Sequence, residues 1–284
     1  MKQFLKHRVI PTLGAWTAGP VQRRVVVLTY HSVHGSSSAA SVRPEQFEAH
    51  LAWLRAHTDV ISFADVLAAT EDASRTCPAV AVTFDDGYAD NYEIAFPILE
   101  RYKVPATFFL TAGLIARDEA VIAHCQALRR TDRASVEPMR VDQLREMQAA
   151  GHQFGAHTWA HVNLTRMSLD AAADDLERSK KWLEDALGQS MSSFAYPFGK
   201  VGRHYTQAHA DLVQRLGHSS AASVAFRAVP LGRSPFHIPR FLVTNDTVEE
   251  LQAKVMGHYD VLGVWQERAP TWLSRRISPR DFSV

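Results

Sequence analysis

Two adjacent carboxylates, Asp85 and Asp86, close the apolar run in "AVTFDDGYADNY" (81–92) and are followed at once by Gly87. Neighbouring carboxylates repel each other and drive one pKa upward. Their pairing fits a cap at the start of the next helix, or a division of labour in which one binds and the other titrates. A second cluster favours the division of labour. In "HTWAH", His157 and His161 stand four residues apart, a spacing that on a helical turn puts both imidazoles on one face, where they can grip one ion. Asp86 with His157 and His161 supplies one oxygen and two nitrogens and leaves a position open for water, as a catalytic divalent site requires. Asp85 is then the neighbour free to take a proton. Two histidines and a carboxylate suit zinc, other divalent ions or the ferrous triad of oxygenases, and zinc is the expected occupant.

These side chains need elements that converge on them. Apolar stretches at 25–31, 79–86, 106–111, 152–157, 192–198, 218–223 and 238–243 read as buried strands, rich in β-branched or aromatic residues. Helical patterns lie between them: Leu169–Leu187 with Ser168 as N-cap and Gly188 as stop, Tyr88–Lys103 bent at Pro97, and Val141–Ala150 ended by Gly151. Strands alternating with helices predict a parallel α/β architecture, closed into a barrel or, as the main rival, open and doubly wound. Either arrangement gathers function at the C-terminal ends of the strands. Tyr30 and His31 end the first strand, Asp85 and Asp86 the second, His157 the fourth, and Tyr196 with Phe198 the fifth.

At 284 residues and 46% hydrophobic content the chain can bury one large core, and a second domain is not required. Lys plus Arg (31) nearly balances Asp plus Glu (30), so a net charge of +1 gives no global pull toward nucleic acid or an anionic membrane. Cys77 and Cys125 are isolated, without metal spacing or a disulfide framework, and read as core thiols. The first 24 residues form an expected N-terminal arm: Pro11 and Pro20 interrupt an apolar stretch too short for the ~20 residues a span needs. Its Trp16 and basic flanks admit a weak contact with a membrane surface. With no cleavable signal read there, the expected location is the cytoplasm, at the inner face of the membrane.

Three motifs in order, "TFDDGY" (83–88), "HTWAH" (157–161) and "FAYPFG" (194–199), make the chain resemble the polysaccharide deacetylases of carbohydrate esterase family 4, the NodB-type domain. The resemblance runs from about Val25 to about Gly257 and leaves 258–284 as a C-terminal extension. It implies a single-domain α/β fold, a distorted (β/α) barrel of about seven parallel strands. It also implies a divalent metal ion and hydrolysis of N-acetyl groups on amino sugars of a glycan or its biosynthetic precursor. Carried over by position, Asp85 is the general base, Asp86, His157 and His161 bind the metal, and the backbone N–H of Phe198 serves the oxyanion, with Tyr196 in the same motif.

The chain departs from the family pattern twice. Ala195 stands where many members carry an arginine that orients the base, and Arg240 in "IPRFLV" is the expected replacement. No Leu-rich motif with a histidine acid follows Val248. In a closed barrel the first strand adjoins the last, so His31 is the expected general acid, with His237 next. The "TYH" ending also resembles biofilm-polysaccharide deacetylases, in which an early histidine is thought to be the acid. Two other functions are carried: an amide or cyclic-imide hydrolase of small non-sugar molecules on the same fold, and a catalytically silent glycan-binding domain. The intact Asp85, Asp86, His157 and His161 argue against the silent domain. Trp159 is read as either core or sugar-cleft lining, and 115–140, basic at Arg129, Arg130 and Arg133, as a loop walling the groove.

Overall fold

A computed structural model describes residues 20–35, 41–129, 136–260 and 262–263. Most of the expected arm and C-terminal extension, together with Arg130 and Arg133, lies outside the described residues. The strands are β1 (Val25–Tyr30), β2 (Ser32–Val33), β3 (Ser41–Val42), β4 (Asp59–Ile61), β5 (Ala79–Asp86), β6 (Ala106–Leu110), β7 (Gln153–Ala156), β8 (Ser193–Ala195), β9 (Ser220–Ala222) and β10 (Phe241–Leu242). The α-helices are α1 (Pro44–His57), α2 (Val66–Glu71), α3 (Phe96–Tyr102), α4 (Ala112–Ile115), α5 (Glu119–Arg129), α6 (Val141–Ala149), α7 (Leu169–Leu187), α8 (Gln207–Arg215) and α9 (Val248–Val255).

Seven strands run in the order β10-β1-β5-β6-β7-β8-β9, with β4 on the early half of β5, and every pairing is parallel. The last segment brings the two ends together. Ile238 bridges to Ala222 on β9, and three residues later Phe241 pairs with Leu28 on β1. The sheet therefore curls into a distorted barrel rather than staying open. Strand alternation sorts the core into two clusters: Val25, Val27, Ala79, Ala81, Phe109, Ala195, Ala222 and Ile238 in a small one, and Val26, Leu28, Val80, Val82, Phe84 and Phe108 in a large one shared with the helices. The small cluster is the barrel interior.

Helix α7 follows its caps closely: the Ser168 hydroxyl accepts from Ala171 N–H at 3.2 Å, and Gly188 ends the helix at φ 66°. The expected bend near Pro97 takes the form of a π-helical turn over Asn91–Ala95 running into α3. Three expected strands are much shorter than their apolar runs, with regular pairing at 193–195, 220–222 and 241–242 only. The expected loop at 115–140 instead carries α5, whose Val121, Ile122 and Cys125 pack inward at helical spacing. Cys125 is buried and Cys77 half-buried, both as free thiols. Among the described residues no helix is long and apolar enough to cross a membrane.

Candidate active site

The register levels the strand ends. Asp86 pairs with Leu110, Leu110 with Ala156 and Ala156 with Phe194, so His157 emerges beside Asp86 at the barrel mouth. On β5, Ala79 and Ala81 face the interior, and Asp85 continues that row. Simple alternation would send Asp86 outward with Phe84, but Asp86 has left extended geometry at φ 78°. Adjacent carboxylates thus serve different sites. Thr158 (φ 68°), His161 (φ 52°) and Phe198 (φ 61°) are also left-handed, each at a cost on the order of 1–3 kcal/mol that the surroundings must offset.

Asp86, His157 and His161 offer three ligand atoms within 4.8 Å of one another. Asp86 Oδ1 lies 3.2 Å from His161 Nε2 and 3.6 Å from His157 Nε2, yet this buried oxygen makes no hydrogen bond. Three donors converging without bonding each other is the arrangement a shared cation would complete, and the donor set fits a divalent ion. His157 Nδ1 lies 2.7 Å from the Ala195 carbonyl, so it carries the proton and leaves Nε2 as the free lone pair. Burial lowers the His157 pKa to about 4, which keeps the ring neutral. Burial would raise Asp86, but His161, His31 and His157 together hold it well below the usual carboxylate range.

The "HTWAH" segment is not helical, contrary to the spacing argument. It is an irregular turn. The N–H groups of Ala112 and Gly113 at the start of α4 donate to the Thr158 and Trp159 carbonyls at 3.0 and 2.9 Å, and His161 N–H donates to Thr158 Oγ1 at 2.9 Å. Those bonds replace an intrahelical ladder. Gly113 permits the approach, since a Cβ there would sit 2.6 Å from the Trp159 oxygen. The two imidazoles still converge, their centroids 5.0 Å apart.

Asp85 receives a fork from Arg240: Nη1 donates to Oδ1 and Nη2 to Oδ2, both at 2.7 Å. Arg240 is fully buried and also bonds Thr83 Oγ1 and the Ser223 carbonyl. The arginine that Ala195 cannot supply therefore comes from the closing segment of the barrel. Burial pushes the Asp85 pKa up, but Arg240 and then His157 outweigh it and leave the carboxyl below its ordinary value.

Half-buried His31 follows β1 directly, with its carbonyl held by Asn91 Nδ2 at 2.8 Å and its Nδ1 buried and unpaired. Burial lowers its pKa against the pull of Asp86 and Asp85, whose charges both reach it. His237 is engaged at both nitrogens, by Tyr205 at 2.9 Å and Gln207 at 3.1 Å. The Tyr196 ring is stacked on Tyr205 at 3.6 Å and packed on Phe194, which makes it a core residue rather than a substrate contact. Phe198 borders His161 with ring centroids 4.9 Å apart, and among the described residues its N–H has no hydrogen-bond acceptor. Trp159 is buried under Arg178, whose guanidinium carbon is 3.5 Å from the ring centroid. Arg129, at the end of α5, lies 4.3 Å over the Tyr88 ring, and its charge is felt at Asp86 and His31.

A carboxylate locked on Arg240 beside an Asp–His–His cluster at the mouth of a barrel is an arrangement suited to hydrolysis assisted by a divalent ion. The polysaccharide deacetylase family model matches residues 72–220, and the chain belongs to that family, a group of hydrolases acting on amide carbon–nitrogen bonds. A poly-β-1,6-N-acetyl-D-glucosamine N-deacetylase of Staphylococcus aureus is 26% identical over 230 residues, covering 78% of this chain and 73% of that protein. Among solved structures, IcaB from Ammonifex degensii superposes with a TM-score of 0.65 at 26% identity, over 82% of this chain and 97% of that one. The Streptococcus pyogenes deacetylase PplD in complex with acetate shares the fold, with a TM-score of 0.69 at 23% identity over 82% and 98% of the two chains.

Proposed function

We propose that this protein removes N-acetyl groups from N-acetylglucosamine units of a poly-β-1,6-linked glycan, with Asp85 as base, His31 as acid and zinc as the resident ion. The observation that carries the reading is the separation of Asp85, locked on Arg240, from the Asp86–His157–His161 cluster beside it. A divalent ion held by Asp86, His157 and His161 would supply Lewis acidity and lower the pKa of a water molecule. Asp85, ionised and fixed in orientation by the guanidinium, accepts the proton as that water attacks the acetyl carbonyl. The Phe198 N–H donates to the oxygen that becomes negative. Collapse breaks the carbon–nitrogen bond, and the sugar nitrogen takes a proton as it leaves. His31 supplies that proton; because burial lowers its pKa, its resting imidazole is neutral, and it becomes the acid by taking up the proton that Asp85 removed from the water, which also returns Asp85 to its ionised form. The products are acetate and a free amino sugar.

The linkage is taken from the S. aureus relative, and zinc is one of the divalent ions that the two-nitrogen, one-oxygen donor set suits. Acetate release is to be measured from β-1,6-linked and β-1,4-linked N-acetylglucosamine oligomers, using protein stripped of metal and reloaded with single divalent ions. Faster release from the β-1,6 oligomer with zinc supports the reading. No acetate from either oligomer with any ion would remove it.

A further inference from the structure

The turn that carries His161 is held from a third direction by a residue no motif contains. Asp175, on the inward side of α7, accepts the Trp159 N–H on Oδ1 at 2.7 Å and the Ala160 N–H on Oδ2 at 3.2 Å. Both donors belong to the short stretch between His157 and His161. With the Thr158 and Trp159 carbonyls already taken by Ala112 and Gly113, the carboxylate leaves the turn with few free polar groups. It also fixes the peptides that force Thr158 and His161 to positive φ. One helical turn along α7, Arg178 covers the Trp159 ring, while the indole N–H donates to Asp118 at 3.2 Å. Trp159 is therefore anchored at its backbone, face and edge, and its orientation follows α7.

We propose that Asp175 is a positioning residue for the metal site: by accepting two N–H groups of the turn, it sets where His161 presents Nε2 to the ion. A neutral amide in its place keeps the shape but turns an NH2 group toward a backbone donor, so one of the two bonds is lost and replaced by a repulsive contact. An alanine loses both. Partners that orient a metal ligand contribute about 10–100-fold to metal affinity, and Asp175 acts on His161 through the backbone as such partners act through the ring.

The proposal rests on the reading that Asp86, His157 and His161 hold the ion, and the experiment separates the two. Zinc affinity is to be measured by competition with a chromophoric chelator for the wild type, Asp175→Asn, Asp175→Ala and Ser168→Ala, with thermal melting of each metal-free protein. Ser168→Ala removes the N-cap of the same helix without touching the turn. The expected result is zinc binding weakened about 10-fold or more in both Asp175 variants, with Ser168→Ala melting lower but binding zinc as the wild type does. Cobalt loaded into Asp175→Asn should show a visible spectrum altered from the wild-type one. Unchanged zinc affinity in folded Asp175→Asn and Asp175→Ala overturns the proposal, as does an equal loss of affinity in Ser168→Ala. Failure of the wild type itself to bind zinc would instead strike the site reading.

Discussion

Replacing Arg240 by Met probes the account where its consequences are largest. Arg240 is fully buried and Asp85 only 3% exposed, and they are joined by two 2.7 Å bonds. Removing one partner of a buried pair leaves an uncompensated charge and costs about 3–5 kcal/mol. At ~2–4 °C per kcal/mol for a chain of this size, that is a fall of roughly 6–20 °C in Tm. The pH dependence has a definite sign. In the wild type the Asp85 pKa is lowered, so its stabilising contribution is present above the ordinary carboxylate range and lost as pH falls through the lowered value. Without Arg240 the strongest remaining influence is burial, which raises the pKa, so the variant is relatively best in acid and loses stability as pH rises. The gap between the proteins should widen from about pH 5 to about pH 8. Turnover at neutral pH should drop ~100-fold or more, because the base is protonated or misdirected. Asp85→Asn combined with Arg240→Met should recover much of the stability and none of the rate. Melting curves at several pH values and initial rates of acetate release measure all of this. A variant within about 0.5 kcal/mol of wild type, as for a surface substitution, with a gap independent of pH, would refute the reasoning.

Other consequences are as concrete. His31→Ala should slow N-deacetylation far more than hydrolysis of an aryl acetate ester, whose leaving group departs without a proton; equal losses on both substrates would remove the acid role. Burial raises the Asp90 pKa to about 6 against the opposing pull of the hydroxyl that Ser32 donates to it, so the contribution of its neutral form is present below the ordinary carboxylate pKa and is lost as pH rises through 6. Asp90→Asn should therefore flatten that part of the stability profile, gaining on wild type by roughly 3 kcal/mol between acid and neutral pH, and parallel curves for the two proteins would disprove it. Gly113→Ala, whose Cβ would press on the Trp159 carbonyl, should cost ~1–3 kcal/mol and reduce zinc per chain; unchanged metal content would show that the turn yields freely.

Much of this was legible in the sequence because the signals were local. The run ending in Asp85–Asp86 is a strand buried along its whole length, and α7 starts and stops at Ser168 and Gly188 as their side-chain chemistry dictates. Arg240 could be singled out because the family resemblance calls for an arginine on the base, Ala195 cannot supply it, and Arg240 stands in the last apolar strand. What escaped depended on partners distant in the chain. His157 and His161 converge not through helical periodicity but because α4 and Asp175 fold the segment between them, and no local pattern announces either contact. Tyr196 looked like a strand-end site residue, but regular pairing stops at Ala195 and its ring turns to Tyr205. Helix α5 did have a local signal, with Val121, Ile122 and Cys125 along one face, which its polar remainder masked.

The central claim is that two neighbouring aspartates divide binding from proton transfer. Zinc per chain, measured together with acetate release in Asp85→Asn and Asp86→Asn, tests it most directly. Asp85→Asn should keep its zinc and lose ~100-fold or more in rate, and Asp86→Asn should lose both. Loss of zinc from Asp85→Asn with retention in Asp86→Asn would contradict the account and exchange the two roles.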